Sequence, residues 1–117
     1  MADIVALVDD LFFQAKVLET ARQVGVEVKM VSTGEALVAE AQRAAPRFVI
    51  VDLNARTGAL EAIERLRPPG NQLRVIAFLS HVQTELAERA RAAGCDEVMP
   101  RSKFTQNLAA ILSQAKK

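Results

Sequence analysis

Five short apolar segments recur along the chain, separated by longer segments with helical spacing. The apolar segments are rich in β-branched residues and short enough to be strands, which are expected at residues 4–8, 26–31, 48–51, 75–79 and 97–99. The first, third and fourth are apolar without alternation, as in strands that are covered on both faces. The second alternates, with Glu27 and Lys29 between apolar residues, and this pattern predicts an edge strand with one wetter face.

The segments between these strands predict five helices. The first is expected over about residues 11–23 and the third over about residues 58–67. The residues expected to face inward are, helix by helix, Leu11, Ala15, Leu18 and Ala21; Leu37, Val38 and Ala41; Leu60, Ile63 and Leu66; Val82, Leu86, Ala90 and Ala93; and Phe104, Leu108, Ile111 and Leu112.

Capping residues and breakers mark the helix ends. Ser32 and Glu35 stand three apart at the start of the second helix, a capping-box pattern in which the two residues satisfy each other's free backbone amides. Pro-Pro-Gly at residues 68–70 stops the third helix, and Gly94 is expected to end the fourth as a left-handed C-cap. The fourth helix also carries charges expected on a solvated face, at Glu85, Glu88, Arg89 and Arg91.

Strands that alternate with single helices predict a parallel sheet with helices on both faces. The alternation uses residues 1–117 and leaves no linker or internal repeat. The expected fold is therefore α/β, a (βα)5 three-layer sandwich forming a single domain without a separate output domain.

Composition narrows the function classes. The chain has 117 residues with 15 Lys and Arg against 14 Asp and Glu, a formal net charge of +1, and neither Trp nor Tyr. This balance argues against a nucleic-acid coat or a binder of anionic membranes. The single Cys95, expected to be a small packed residue, excludes an internal disulfide and a multi-Cys zinc site. With no membrane-length apolar run and no signal peptide, a cytoplasmic protein is expected.

Polar residues follow the predicted strands at their carboxyl ends, where ligands bind in open α/β sheets. Asp9 and Asp10 end the first strand, Asp52 and then Asn54 follow the third, and Ser80 follows the fourth; the fifth runs into Pro-Arg-Ser-Lys at residues 100–103. Hard oxygen ligands in this number suit Mg²⁺. A carboxylate beside the metal can also accept a phosphoryl group.

This constellation resembles the response-regulator receiver family, in particular chemotaxis receivers, over the entire chain. The motifs that carry the resemblance are Val-Asp-Asp at residues 8–10, Val-Ile-Val-Asp-Leu at 49–53, Ala-Phe-Leu-Ser at 77–80 and Ala-Gly-Cys-Asp-Glu-Val at 93–98. The resemblance implies a flavodoxin-like sheet with strand order 2-1-3-4-5. It also implies that Asp9, Asp10 and Asp52 hold Mg²⁺ together with the backbone carbonyl of Asn54, that Asp52 accepts the phosphoryl group, and that the Ser80 hydroxyl bonds a phosphoryl oxygen.

Several departures indicate an atypical or degenerate member. Arg101 stands where the family has the Lys that contacts the phosphoryl group, and Lys103 substitutes for that Lys only if the loop differs from the family's. Val98 replaces the switch aromatic, His81 replaces a commonly small residue, and the loop of residues 52–58 lacks the family's Pro. The fold inference survives these losses, whereas the phosphorylation inference is weakened.

Some of these residues also have a simpler interpretation. Asp9 and Asp10 can serve only to cap the following helix. Arg101 can pair with a carboxylate without any phosphate. His81 is expected to be a loop residue at a helix start rather than a pH-sensitive gate or a metal ligand.

Phe12 and Phe13 are neighbours on the first predicted helix and point about 100° apart, so both can hardly face the same core. Either each packs against a different flank of the sheet, or one lies exposed near the acidic residues as a partner contact.

Three functions stay open. The first is a stand-alone receiver in two-component signalling, not an enzyme beyond self-phosphorylation and dephosphorylation of Asp52. Its partners would be a histidine kinase or phosphotransfer protein and a downstream protein at the helix 4–strand 5–helix 5 face, with a homodimer left open. The second is a pseudo-receiver, an interaction module independent of phosphorylation. The third, a flavodoxin-like enzyme or nucleotide binder, lacks a Gly-rich loop at residues 9–12.

Overall fold

A computed structural model describes residues 2–55, 58–66, 73–80 and 83–116. The strands are β1 (Ile4–Leu7), β2 (Val28–Val31), β3 (Phe48–Asp52), β4 (Arg74–Leu79) and β5 (Glu97–Pro100). The helices are α1 (Leu11–Val24), α2 (Gly34–Ala44), α3 (Ala59–Arg65), α4 (Thr84–Ala93), α5 (Arg101–Gln106) and α6 (Leu108–Ser113). The predictions for residues 68–70, His81 and Val82 lie outside the described residues.

The five strands form one parallel sheet in the order β2-β1-β3-β4-β5, which confirms the predicted topology. Strands β1 and β3 are buried throughout, as their unbroken apolar runs predict. Strand β2 lies at the edge, where Lys29 is exposed while Val31 is buried. The alternating pattern of the second segment therefore identified the edge strand correctly.

The side chains of the sheet alternate between two hydrophobic clusters, one on each face. On one face Leu7 and Val51 of the sheet pack with Leu37 of α2 and Ile63 of α3. On the other face the sheet packs with α1, α5 and α6, through residues that include Phe13, Val17, Phe104 and Leu108. This three-layer arrangement is the predicted sandwich.

Helix α1 buries a different face from the one predicted. Its buried residues are Phe13, Val17 and Ala21. Leu11, Ala15 and Leu18, which were expected to face inward, are exposed, Leu11 by 76%. The helix carries two apolar stripes, and the stripe with Phe13 packs inward because this ring meets Phe78 of β4, with centroids 5.3 Å apart.

The predicted capping box at α2 is wrong by one residue. Thr33 is the N-cap, and its hydroxyl oxygen accepts a hydrogen bond from the Ala36 N–H at 3.0 Å. The helix begins at Gly34 because the cap position needs an extended backbone, which Thr33 adopts.

Helix α4 is ended by Gly94, the residue that the sequence marked as its C-cap. The φ of Gly94 is +123°, a positive value that favours glycine.

The remaining helices follow the predicted pattern with two local differences. In α3 the inner face includes Ala59 and Ala62 besides Ile63, while Leu60 is only partly buried. The last predicted helix is divided at Asn107 into α5 and α6, and the Asn107 side chain donates to the Lys103 carbonyl at 2.9 Å. The predicted charged face of α4 is exposed, at Glu85, Glu88, Arg89 and Arg91.

Within the described residues, no helix is long and apolar enough to cross a membrane.

Candidate functional site

The carboxyl ends of the parallel strands place the predicted site residues at one edge of the sheet. Asp9 and Asp10 follow β1, Asp52 is the last residue of β3, Ser80 follows β4, and Arg101 follows β5 directly. Parallel neighbours all end at the same edge, so residues far apart in the chain meet there. The acidic pocket, as we call the group Asp9, Asp10 and Asp52, lies at this edge.

Asp52 is the centre of the acidic pocket. It is 2% exposed, and among the described residues it is the charged residue that is buried. Its Oδ1 accepts a hydrogen bond from the Asn54 N–H at 2.9 Å, and its Oδ2 lies 3.5 Å from Arg101 Nη2. Burial raises the pKa of Asp52, and the charges of Asp9 and Asp10 add to this effect; the Asn54 amide and Arg101 oppose it. The pocket therefore holds a carboxylate whose charge is costly.

Asp10 has two roles in the structure. Its Oδ1 caps α1 by accepting hydrogen bonds from the N–H groups of Phe12 at 3.0 Å and Phe13 at 3.3 Å. Its Oδ2 lies 3.3 Å from Arg101 Nη1. The pKa of Asp10 is lowered, chiefly by the hydrogen bond from the Phe13 amide; desolvation opposes this effect, and Arg101 and the Phe12 amide lower the pKa further. Asp10 therefore caps α1, as the simpler interpretation predicted, and it also pairs with Arg101.

Arg101 joins two carboxylates of the acidic pocket. Its guanidinium lies between Asp10 and Asp52, as the contacts above show, and its other surroundings are aromatic. Its Cζ is 4.6 Å from the ring centroid of Phe13 and 5.5 Å from that of Phe78. Its Nε is buried and has no hydrogen-bond partner within the described chain. The predicted pairing of Arg101 with a carboxylate is confirmed. Lys103 is exposed on α5, so Arg101 is the cation seen at the pocket.

Asn54 connects the ends of β3 and β4 through its side chain. Its Oδ1 accepts hydrogen bonds from the Ser80 N–H at 2.6 Å and from the Ser80 hydroxyl at 2.9 Å. Its Nδ2 donates to Gln83 Oε1 at 3.1 Å, and Gln83 is the N-cap residue of α4. The sequence drew attention only to the Asn54 backbone carbonyl, and no motif marked Gln83. We call this group the Asn54–Ser80–Gln83 network.

Phe12 lies beside the acidic pocket and is 92% exposed, whereas Phe13 is 7% exposed. The expectation that one of the two rings lies exposed is confirmed. The alternative, in which each packs against a different flank of the sheet, is wrong because Phe12 points to solvent from the first turn of α1.

The acidic pocket offers oxygen donors of the type that Mg²⁺ prefers. Carboxylates of Asp9, Asp10 and Asp52 and the Asn54 carbonyl are hard oxygens, the kind of ligand that Mg²⁺ takes in proteins. Their side chains, as placed, are not gathered around a common point: within the described ranges no group of three or more His, Cys, Asp or Glu is positioned to hold a metal. These oxygen donors are of the type that fits Mg²⁺, and the Arg101 guanidinium lies between two of the carboxylates, those of Asp10 and Asp52.

A groove of about 200 Å³ lies between α4 and β5. Its apolar lining includes Leu79, Ala87, Val98 and Met99, and Arg91 lies at its side. The sequence resemblance places Val98 at the position of the switch aromatic of receivers. At this position the groove is therefore lined by a valine side chain, which is smaller than an aromatic ring.

Solved structures of receiver domains share this fold. The receiver domain of NtrX from Brucella abortus aligns with a TM-score of 0.80 and 20% identity, covering 97% of this chain and 97% of that one. The chemotaxis response regulator CheY4 of Vibrio cholerae aligns with a TM-score of 0.81 and 22% identity, with 98% of each chain covered. A longer NtrX chain, in complex with ADP, is matched over only 26% of its length.

The chain therefore has the receiver-domain fold, a CheY-like, flavodoxin-like sheet of five parallel strands. The receiver domain of NarL from Mycobacterium tuberculosis extends the likeness at 17% identity and a TM-score of 0.79. No protein-family model matches the sequence, and no curated protein matches it either. The likeness is thus one of fold, which confirms the receiver architecture expected from the sequence.

Proposed function

We propose that the chain is a receiver of two-component signalling, in which Asp52 accepts a phosphoryl group and a protein partner responds to the change. One observation carries this proposal: the Asp52 carboxylate is 2% exposed at the end of the central strand β3 and faces the Arg101 guanidinium at 3.5 Å. A carboxylate beside a positively charged side chain is suited to receive a phosphoryl group, because the positive charge balances the added negative charge.

In the proposed step, an oxygen of Asp52 attacks the phosphorus of a phosphohistidine on a histidine kinase or phosphotransfer protein. A P–O bond forms, the P–N bond breaks, and the imidazole nitrogen of the donor keeps the electron pair. Arg101 and the Ser80 hydroxyl then contact the phosphoryl oxygens. Water later cleaves the acyl phosphate, and beyond this self-reaction the proposal includes no enzymatic activity.

Mg²⁺ is the metal proposed for the acidic pocket. Asp9, Asp10 and Asp52 would hold it through their carboxylates, together with the backbone carbonyl of Asn54. When bound, the metal supplies positive charge that offsets the repulsion between the carboxylates and the phosphoryl oxygens.

The Asn54–Ser80–Gln83 network offers a route from Asp52 to α4. When the Ser80 hydroxyl turns to a phosphoryl oxygen, it gives up its 2.9 Å hydrogen bond to Asn54. Asn54 also holds Gln83 at the start of α4, so the change reaches the α4–β5 groove. We assign the docking of the downstream protein to the face formed by α4, β5 and α5. A homodimer and a cytoplasmic location are part of the same proposal.

Phosphorylation can be tested with a small phosphodonor such as phosphoramidate in the presence of Mg²⁺. We expect intact-mass spectrometry to show one added phosphoryl group on the wild type and none on Asp52→Asn. Asp3→Asn, which removes a carboxylate before β1 at the opposite end of the sheet, is the matched control and is expected to label like the wild type. Labelling of Asp52→Asn to the wild-type level would contradict the proposal.

A second candidate is a pseudo-receiver that binds its partner without phosphorylation. The observation that favours it is the Arg101 guanidinium, which already lies against Asp10 and Asp52 and supplies a positive charge to the pocket. No added phosphoryl group on the wild type, from either the small donor or a phosphorylated histidine protein, would select this candidate.

A further inference from the structure

The guanidinium of Arg101 lies between carboxylates that are also the proposed ligands of Mg²⁺. Arg101 Nη1 is 3.3 Å from Asp10 Oδ2, and Nη2 is 3.5 Å from Asp52 Oδ2. Both distances exceed the roughly 2.7–2.9 Å of a strong charge-assisted hydrogen bond. The guanidinium therefore lies between two of the carboxylates that are proposed to bind the metal, at distances longer than those of a strong ion pair.

The aromatic side of the contact keeps Arg101 in this position. Phe13 is almost fully buried and Phe78 is fully buried, and the Arg101 Cζ lies 4.6 and 5.5 Å from their ring centroids. A planar guanidinium gains from the faces of aromatic rings, and an ammonium group lacks this flat stacking surface. We call Phe13 and Phe78 the aromatic platform. Arg101 is thus positioned by rings below it as well as by carboxylates.

We infer that Arg101 is a built-in competitor of the divalent cation: it holds Asp10 and Asp52 in a metal-free arrangement, and Mg²⁺ binds only as the guanidinium leaves them. The reason is that both cations would draw on the carboxylates of Asp10 and Asp52, and two positive charges repel each other at short distance. The inference rests on the proposed function for the identity of the metal and the site. Arg101 acts here as a positioning residue, and Phe13 acts through Arg101.

The test is a Mg²⁺ titration of the ¹⁵N-labelled protein, followed through the amide shifts of Asp10, Asp52 and Ser80, with no phosphodonor present. We expect Arg101→Gln to bind Mg²⁺ about tenfold more tightly than the wild type, because a positive charge next to two ligands is gone. Arg101→Lys keeps the charge but loses the platform contact, and an intermediate affinity is expected. Phe13→Leu is expected to shift the affinity in the same direction by a smaller factor.

Arg43→Gln is the matched control, because Arg43 pairs with Glu40 on the exposed side of α2 and its loss changes the net charge equally. Its Mg²⁺ affinity should equal that of the wild type. Amide spectra recorded without metal show whether each variant is folded. If Arg101→Gln is not folded, the Mg²⁺ affinities of Arg101→Lys and Phe13→Leu test the inference instead. Equal Mg²⁺ affinities of the wild type and the folded Arg101 and Phe13 variants would overturn the inference.

The phosphorylation assay separates this inference from the proposed function. Equal Mg²⁺ affinities together with labelling of Asp52 would leave the receiver function standing and show that Arg101 does not compete. If neither the wild type nor Arg101→Gln binds Mg²⁺, the magnesium site and the inference are both wrong. If Arg101→Gln binds Mg²⁺ more tightly but the wild type takes no phosphoryl group, the inference stands and the phosphorylation proposal fails.

Discussion

Asp10 and Asp52 contact the same guanidinium, yet their pKa values move in opposite directions. Burial dominates at Asp52 and raises its pKa, since the charged form is costly in a site that water hardly reaches. At Asp10 the backbone amide of Phe13 is the largest influence and lowers the pKa. The difference arises because Asp10 lies at an exposed helix start, where free N–H groups stabilise a carboxylate, and Asp52 lies at the end of a buried strand.

We expect Asp52→Asn to be more stable than the wild type at neutral pH. In the unfolded chain Asp52 titrates near its ordinary value of 3.8, whereas the folded protein keeps the proton to higher pH. Between the ordinary pKa and the higher pKa of the folded state, the folded protein binds more protons than the unfolded chain. The stability of the wild type therefore falls as the pH rises through this range, and it stays lower at pH values above the range. The advantage of Asp52→Asn should therefore shrink as the pH falls towards the ordinary value. Urea unfolding across the acidic and neutral range measures it.

Asp10→Asn is expected to show the opposite sign. The lowered pKa of Asp10 means that its carboxylate contributes stability above the ordinary value, and this contribution is lost as the pH falls through the folded value. Asn caps helices as well as Asp does, so the substitution mainly removes the charge. A loss of stability at neutral pH in Asp52→Asn would contradict the sign expected for Asp52, and a gain in Asp10→Asn would contradict the sign expected for Asp10.

At the scale of elements, the ends and faces of the helices depend on single contacts. Helix α1 presents one of its two apolar stripes to the sheet because Phe13 meets aromatic rings there, with Phe78 at 5.3 Å and Phe104 at 6.0 Å. Helix α2 begins at Gly34 because the hydroxyl of Thr33, rather than that of Ser32, reaches the Ala36 amide. Periodicity in the sequence is compatible with both alternatives in each case.

Thr33→Ala should lower the free energy of unfolding by about 1 kcal/mol, the usual cost of losing an N-cap side chain. The hydrogen bond to the Ala36 amide disappears, and this N–H loses its partner in the first turn of α2. Chemical denaturation of the two proteins measures the difference. Thr33→Ser keeps the hydroxyl and serves as the control; if it destabilised the protein as much as Thr33→Ala, the cap would not be the cause.

At the scale of the whole molecule, the aromatic residues link the sheet, two helices and the candidate site. Phe78 of β4 stacks on Phe104 of α5 with centroids 4.5 Å apart, and Phe13 of α1 packs against both rings. The same rings of Phe13 and Phe78 lie beside Arg101. Packing on this face of the sheet therefore supports both the stability of the fold and the position of the cation at the acidic pocket.

Phe104→Ala is expected to lower the free energy of unfolding by about 3–5 kcal/mol, because it opens a large cavity beside a fully buried ring. Ile63→Val, which removes one methylene on the opposite face of the sheet, should cost only about 0.5–1.5 kcal/mol. Denaturant unfolding monitored by circular dichroism gives both values. A cost for Phe104→Ala no larger than that for Ile63→Val would show that the aromatic contact contributes little.

The α/β fold, and the position of the predicted site residues at one edge of the sheet, followed from the sequence alone. Unbroken apolar runs identified the buried strands and alternation identified the edge strand, because burial on one or two faces leaves a local pattern. The strict alternation of strands and helices predicted the parallel sheet. Since parallel strands end at one edge, the sequence alone predicts that Asp9, Asp10, Asp52 and Ser80 lie at the same edge of the sheet.

The inner stripe of α1, the cap at Thr33, the role of the Asn54 side chain and the bridge made by Arg101 required the tertiary structure. Each depends on which side chains from distant segments meet: Arg101 and Asp10 are 91 residues apart, and Asn54 and Gln83 are 29 apart. Local patterns record how far a residue is buried but not which neighbour it contacts. The sequence therefore determined which charged residues end the strands, because burial leaves a local pattern, whereas the packing of the folded chain alone decided how their charges pair.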